Sequence, residues 1–316
     1  MERVEHPAYP RREGTIEEPV ASRGGGETVV VTVGEALREA APRIAAAGSA
    51  SPRLDAELLL AHVLGVTREA PYRAPERVLS AEEAARFATL AARRVRREPV
   101  AFITGHKPFR TIDLQVDESS IVPRPDTETL VEVALQALSE STVGEPRALD
   151  VGTGSGAVAL ALCAEHPTVR VFAIDIDARA LELARGNAVR LHLADRVEFL
   201  QSDLFDDLPG GARFELVVSN PPYIREDEIE HLQEEIRSWE PRAALVSGPE
   251  GLEFYRRLIP GALAFLEPHG LLAVEIHEGR VDDIQALFIA TGRYADVRVH
   301  EDLGGSPRVV SGRERA

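Results

Sequence analysis

Leu149-Asp150-Val151-Gly152-Thr153-Gly154-Ser155-Gly156 joins the end of a short apolar run to the start of an Ala/Leu-rich stretch at 157–165. The pattern reads as strand, tight turn, helix. Glycines here allow a sharp turn and a close approach of a ligand to the backbone, with the first N–H groups of the helix aimed at it. The spacing is G-x-G-x-G and not the G-x-G-x-x-G of dinucleotide-binding folds, which favours a small adenosyl ligand over a pyrophosphate. By itself a glycine turn of this kind is weak evidence.

Its surroundings strengthen it. Apolar runs at 148–151, 169–174, 197–200, 214–219, 271–276, 297–299 and 308–310 alternate with helix-prone stretches, the mark of a parallel α/β sheet. In such sheets ligands lie beyond the carboxyl ends of the strands at the topological switch point. The second run ends in Ile174-Asp175-Ile176-Asp177. Asp175, about twenty residues past the turn, can accept hydrogen bonds from both ribose hydroxyls of a nucleoside. Asp177 fits better as the N-cap of the next helix. The third run ends in Gln201-Ser202-Asp203-Leu204-Phe205, where Asp203 and Leu204 can border an adenine.

The fourth run ends in Asn220-Pro221-Pro222-Tyr223. An amide or exocyclic amine has a delocalised lone pair and is a poor nucleophile, so its methylation depends mostly on positioning. Asn220 offers a side-chain carbonyl. Pro221 precedes a proline, which holds its backbone extended with the carbonyl free to accept; Pro222 lacks an N–H and has a fixed φ. Tyr223 supplies a flat face for a planar group. Alone, the tetrapeptide reads equally as a surface turn. At the end of the fourth strand, after the glycine turn, Asp175 and Asp203, it completes the order expected of an S-adenosylmethionine-dependent methyltransferase.

Residues 1–27 are polar, contain prolines and close with three glycines, which predicts a disordered leader. Residues 28–98 have a helical pattern. Thr32-Val33-Gly34-Glu35 predicts a capping box, Ser51-Pro52 an N-cap with proline at the first helical position, Gly65 a C-terminal stop and Ser80 a further cap. Arg93, Arg94, Arg96 and Arg97 cluster at a helix end, where they suit the helix dipole or an anionic partner. Val100-Ala101-Phe102-Ile103 and Ile112-Asp113-Leu114-Gln115-Val116 are β-prone and predict a linking hairpin within 99–122. Pro123-Arg124-Pro125-Asp126-Thr127-Glu128 then begins a helix with a stiffened entrance, opening a catalytic domain over 123–316.

The formal net charge of −16 argues against a broad nucleic-acid-binding surface. Cys163 is the single cysteine of the 316 residues, so no intrachain disulfide or cysteine-cluster zinc site is possible; its Ala/Leu-rich setting marks it as a buried small hydrophobe. No apolar run reaches membrane-spanning length and no signal-peptide core opens the chain. A cytoplasmic, monomeric enzyme without a metal or a membrane partner is expected.

The chain resembles the release-factor glutamine methyltransferases (HemK/PrmC-like). The resemblance rests on Ser51-Pro52-Arg53-Leu54-Asp55-Ala56-Glu57-Leu58-Leu59, on Pro99 to Gly105, on Val122-Pro123-Arg124-Pro125-Asp126-Thr127-Glu128, on the glycine turn, on 219–223, on Glu240-Pro241-Arg242-Ala243-Ala244-Leu245 and on Asp302-Leu303-Gly304. It implies a Rossmann-like sheet with a small helical domain and a linking hairpin. The implied activity is methylation, from S-adenosylmethionine, of the side-chain amide nitrogen of the Gly-Gly-Gln glutamine in peptide chain release factors. By the same resemblance Gly152, Thr153, Gly154, Ser155 and Gly156 contact the methionine part of the cofactor, Asp175 the ribose, and Asp203 and Leu204 the adenine. Asn220, Pro221, Pro222 and Tyr223 clamp the glutamine. Two departures stand out: the family often carries an aromatic residue where this chain has Leu204, and Glu275-Ile276-His277-Glu278-Gly279-Arg280 differs from the usual Glu-Ile-Gly, so no site role is assigned there. Methylation of a ribosomal-protein glutamine, or of adenine or guanine in nucleic acid, is the alternative.

Overall fold

Val33–Ala46 (α1) opens on a capping box: the Thr32 hydroxyl accepts from Glu35 N at 3.3 Å, and Thr32 N donates to Glu35 Oε2 at 2.8 Å. The computed structural model describes residues 31–315, so the leader expected at 1–27 lies outside the described residues. Pro52–Leu64 (α2) stops at Gly65 in the left-handed region with φ 64°, and a short turn, Ala70–Arg73 (α3), leads to Ala81–Val95 (α4). Ser80 caps α4 with a second capping box closed by Glu83. Ser51 stands at the N-cap of α2, but its hydroxyl donates to Asp55 Oδ1 at 3.0 Å and makes no cap bond. Ile44, Leu59, Leu60 and Phe87 form the small core of this helical unit.

The β-prone run at 100–103 is helical: Val100–Thr104 (α5) starts at Pro99 and ends at Gly105 with φ 75°. Ile103 packs into the helical core, and Thr104 Oγ1 bonds back to the Val100 carbonyl at 3.0 Å. Strand propensity reports how a residue packs, and here tertiary contacts overrule it. The hairpin forms further on, between His106–Phe109 (β1) and Ile112–Gln115 (β2), with Arg110 at φ 48° in the two-residue turn.

The arginine cluster lies in and just after the last turn of α4, where it suits the helix dipole, and it finds its anionic partners within the chain. Arg94 is 5% exposed and bonds Asp55 Oδ2 at 2.7 Å and Glu235 Oε1 at 2.6 Å. Arg93 pairs with Glu98, and Arg97 with Glu235 and the Ala47 carbonyl. Arg96 stays exposed. The anionic partner is Glu235 of the same chain, in Glu234–Trp239 (α9), so the cluster latches the helical unit to the segment that follows Tyr223.

Thr127–Ser139 (α6) leads into the sheet, whose strands are Arg147–Val151 (β3), Arg170–Asp175 (β4), Val197–Gln201 (β5), Phe214–Ser219 (β6), Leu266–Glu275 (β7), Tyr294–Glu301 (β8) and Pro307–Glu314 (β9). Their order is β5-β4-β3-β6-β7-β9-β8. The first five pair in parallel, but β9 runs antiparallel to both β7 and β8, so the sheet is mixed and not wholly parallel. No helix separates β8 from β9; a tight turn around Asp302 joins them, and a tight turn can only reverse the chain.

Helices cover both faces. Ala157–Glu165 (α7), Ala178–Arg190 (α8), α6 and the hairpin pack on one face against Ala148, Leu216 and Val218. Glu253–Ala262 (α10) and Val281–Ala290 (α11) pack on the other against Leu149, Val151 and Val217. The side-chain alternation of β3 and β6 thus feeds two cores. Cys163 is buried in the first, where burial pushes its thiol up to about 12. Among the described residues no helix is long and apolar enough to cross a membrane.

Candidate active site

The switch point lies between β3 and β6: the chain leaves β3 for β4 and β5 on one side, then returns to β6 on the other. Ser219 locks the two strands together, its buried hydroxyl donating to the Val151 carbonyl at 2.7 Å. Every residue singled out for the site sits on a loop beyond this edge or, like Asp175, at the very end of a strand.

The glycine turn is built from within. Asp150 is 1% exposed; its Oδ2 accepts from the Thr153 hydroxyl at 2.7 Å and from Ala159 N at 3.1 Å. Burial pushes the Asp150 carboxyl up to about 7 against these two bonds. Gly152, Gly154 and Gly156 all take positive φ, at 75°, 55° and 83°. Gly152 and Gly154 line a cavity of about 390 Å³, within the range of small-molecule sites. Thr153 and Ser155 are buried beneath it, the Ser155 carbonyl accepting from Asn187 Nδ2 at 3.0 Å. Gly156 is the N-cap of α7, where a Cβ would stand 3.0 Å from Leu160 Cδ1 and 3.3 Å from Ala184 Cβ. Gly156→Ala is therefore expected to cost about 1–2 kcal/mol for the left-handed backbone alone, and more for the contact. Gly65→Ala, at φ 64° with nothing within 4 Å, should cost the backbone term only. Thermal denaturation of the two variants measures the difference.

Asp175 ends β4 with Oδ2 accepting from Gly154 N at 2.9 Å and Oδ1 from Asp177 N at 2.9 Å. Burial raises its carboxyl above the usual range against these two N–H bonds. The carboxylate is therefore held rigidly at the cavity wall with lone pairs to spare. Asp177 caps α8 through Arg179 N at 2.8 Å. Asp203 lines the same cavity and pairs with Arg257 at 3.0 Å. Leu204 is buried at φ 53°, in a turn held by the Ser202 hydroxyl on its carbonyl at 2.8 Å. Among the described residues lining this cavity the one aromatic ring is Phe254, at the start of α10. The acidic, part-apolar wall suits a cationic ligand with a nucleoside portion.

Asn220 and Pro222 stand between this cavity and a smaller one of about 80 Å³, which Pro221, Tyr223, Arg124, Leu232, Ile236 and Glu240 help to line. Asn220 Nδ2 donates to Thr127 Oγ1 at 3.0 Å. Neither Asn220 Oδ1 nor the Pro221 carbonyl takes a hydrogen bond among the described residues. Burial raises the Tyr223 phenol, and its ring lies 6.2 Å from that of His277. Arg124 bonds the buried Glu240 at 2.5 Å and so ties the Pro123-Arg124-Pro125 element to the far wall of the smaller cavity. Burial holds Glu240 above the usual carboxylate range, with Arg124 opposing.

Sequence reasoning gave no role to Thr127, Glu240, Glu275 or Phe254, all of which the fold brings to this edge. Thr127, Glu240 and Glu275 lie within 122–128, 240–245 and 275–280 but carry no local sign of a site role, and Phe254 carries none at all; Thr127 lies 93 residues from Asn220 in the chain.

The sheet order, the glycine turn at its switch point and the carboxylates closing successive strands define a Rossmann-like methyltransferase. Residues 126–238 match the methyltransferase small domain family, and residues 35–105 the PrmC N-terminal domain. The release factor glutamine methyltransferase of Caulobacter vibrioides is 43% identical over 284 residues, covering 90% of this chain and 97% of that protein. That of Rhodopirellula baltica is 41% identical over 266 residues, covering 84% and 90%. The solved hMettl16 catalytic domain, in complex with a 3′UTR hairpin, superposes with a TM-score of 0.52 at 16% identity, covering 75% of this chain and 84% of that one, a likeness of fold. The chain belongs to the release factor glutamine methyltransferase family.

Proposed function

We propose that this chain transfers the methyl group of S-adenosylmethionine to the side-chain amide nitrogen of a glutamine in peptide chain release factors. The observation that carries this reading is the pair of unpartnered acceptors, Asn220 Oδ1 and the Pro221 carbonyl, at the boundary between a large acidic cavity and a small one. When bound in the larger cavity, the cofactor supplies an electrophilic methyl on a sulfonium.

The protein's own residues do the rest. Asp175 accepts from the ribose hydroxyls, and Asp203 and Leu204 border the base with Phe254 across from them. Gly152 and Gly154 let the backbone approach the methionine part; Thr153, Ser155 and Gly156 hold the turn that makes this possible. Asn220 and Pro221 accept the two N–H bonds of the glutamine amide, turning its nitrogen toward the larger cavity. Pro222 keeps the segment extended, and Tyr223 covers one face of the amide. These bonds strengthen as the nitrogen gains positive charge, which is where added binding raises rate. No strong base is needed, because the first product is an N-protonated N-methylamide, a strong acid that loses its extra proton to water after transfer. The helical unit, latched through Arg94 and Arg97 to Glu235, is the surface that grips the protein substrate.

The test is incubation with methyl-labelled S-adenosylmethionine and a release factor, a ribosomal protein or nucleic acid. Label on a release-factor glutamine supports the reading; label confined to either of the others overturns it. Asp175→Ala should weaken cofactor binding about 10- to 150-fold, the worth of hydrogen bonds to a charged group, as read by calorimetry. Unchanged affinity would remove Asp175 from the cofactor site.

A further inference from the structure

Asn220 can serve as an acceptor only if its amide is turned the right way. Rotation by a half-turn swaps a carbonyl for an NH2 of nearly the same shape, and the NH2 would repel the N–H bonds of a substrate amide. Something must therefore choose the rotamer, and the choice is made outside the clamp.

Asn220 Nδ2 lies 3.0 Å from Thr127 Oγ1. Thr127 is the first residue of α6 and only 3% exposed. A hydroxyl has one proton and two lone pairs, so an oxygen that accepts from Asn220 must send its own proton elsewhere. The acceptor for that proton is Glu275: it ends β7 next to β6, is 1% exposed, and the Thr127 hydroxyl is among the groups that favour its charged form. Glu275 Oε2 finds no partner at all.

Resting on the clamp reading above, we infer that Thr127 and Glu275 are positioning residues that fix the Asn220 amide with its carbonyl toward the substrate nitrogen. An ionised Glu275 can only accept. It takes the Thr127 proton, Thr127 in turn accepts from Asn220 Nδ2, and Oδ1 is left for the substrate. A protonated Glu275 reverses the chain. It donates to Thr127, whose proton is then free for the Asn220 carbonyl, and the NH2 turns toward the substrate.

The surroundings place this reversal near neutral pH. Asp126 and Arg124 face Glu275 from the segment before α6, Arg308 from β9, and Tyr255 and Tyr223 from α10 and the clamp. The Tyr255 hydroxyl bonds the Glu275 backbone carbonyl at 2.6 Å and leaves the carboxyl untouched. Arg308 is engaged by Asp126 and Asp302, and Arg124 by Glu240, so neither forms an ion pair with Glu275. Burial then pushes the Glu275 carboxyl up to about 7, with the Thr127 bond and the two arginines opposing and Asp126 adding to the rise.

Thr127→Val, Thr127→Ser and Glu275→Gln, each measured against the unaltered enzyme, test the inference through kcat, KM, calorimetric cofactor affinity and the pH profile of kcat. A side-chain hydrogen bond that sets a transition-state contact is worth about 10- to 100-fold. Thr127→Val should lose that factor in kcat with cofactor affinity unchanged, and Thr127→Ser, which keeps the hydroxyl, should recover most of it. The unaltered enzyme should lose kcat about tenfold per pH unit below about 7, and this acid limb should vanish in Glu275→Gln. Equal losses in the Val and Ser variants, full activity in Thr127→Val, or an acid limb that survives in Glu275→Gln would each overturn the inference. Asn220→Ala separates the two levels: if it is fully active the clamp itself fails, whereas an inactive Asn220→Ala beside a fully active Thr127→Val defeats the positioning role alone.

Discussion

Asn220→Ala is expected to lower methyl transfer about 10²–10³-fold, the loss seen when one preorganised hydrogen-bonding group aimed at developing charge is removed. Its effect on cofactor affinity should be small. The side chain bounds both cavities, but the acceptor it contributes, Oδ1, is the one without a protein partner. On the proposed reading, removing it leaves the substrate nitrogen with a single acceptor, the Pro221 carbonyl, and lets the amide plane rotate away from the methyl. A loss of positioning of this kind appears in kcat, while on the proposed reading cofactor binding draws on Asp175, Asp203 and the glycine turn. The measurements are single-turnover methyl transfer and calorimetric titration with S-adenosylmethionine. Losses of similar size in both would show that Asn220 serves the cofactor site and not the acceptor.

Arg94→Met should destabilise the protein by about 3–5 kcal/mol, the cost of breaking a buried ion network by deleting one partner. Arg94 is 5% exposed and joins three elements: Asp55 on α2, Glu235 on α9 and the Glu98 carbonyl before α5. Methionine preserves much of the stem but leaves Asp55 buried beside it. Ser49 and Ser51 still bond Asp55, and Arg97 still pairs with Glu235, which places the loss toward the lower end. Adding Asp55→Leu should recover part of it, because a buried pair replaced by apolar groups is often close to neutral. Chemical denaturation of the single and double variants distinguishes lost charge from lost packing; no recovery in the double variant would assign the effect to packing. The same change should raise KM for a protein substrate, since Ile236, the neighbour of Glu235, lines the smaller cavity.

The strand and helix sequence of the catalytic part was legible because its signals are local. Gly152, Gly154 and Gly156 take the positive φ angles that a G-x-G-x-G turn demands. Asp177 and Ser80 cap the helices they precede, and the Thr32 capping box forms as written. Val100-Ala101-Phe102-Ile103 went the other way because β-branched and aromatic residues suit any half-buried surface, and Ile103 found one in the helical core. The arginines at 93–97 could not be interpreted locally: a helix-end cation looks the same whether it faces solvent or, like Arg94, a carboxylate from another part of the chain.

By itself the sequence determined the elements of the fold and the kind of chemistry, since turn geometry, capping and alternation depend on neighbours a few residues apart. It also named Asn220, Asp175 and the glycines, because each sits where a strand ends. Only the tertiary structure decided which end of Asn220 is held, by bringing Thr127 to its Nδ2 from α6. It alone decided that Asp150 supports the glycine turn from below, that β9 closes the sheet antiparallel, and that Arg94 latches the helical unit to α9. These are contacts between residues far apart in the chain. Their energy comes from burial and mutual hydrogen bonding, which exist only once the chain has folded.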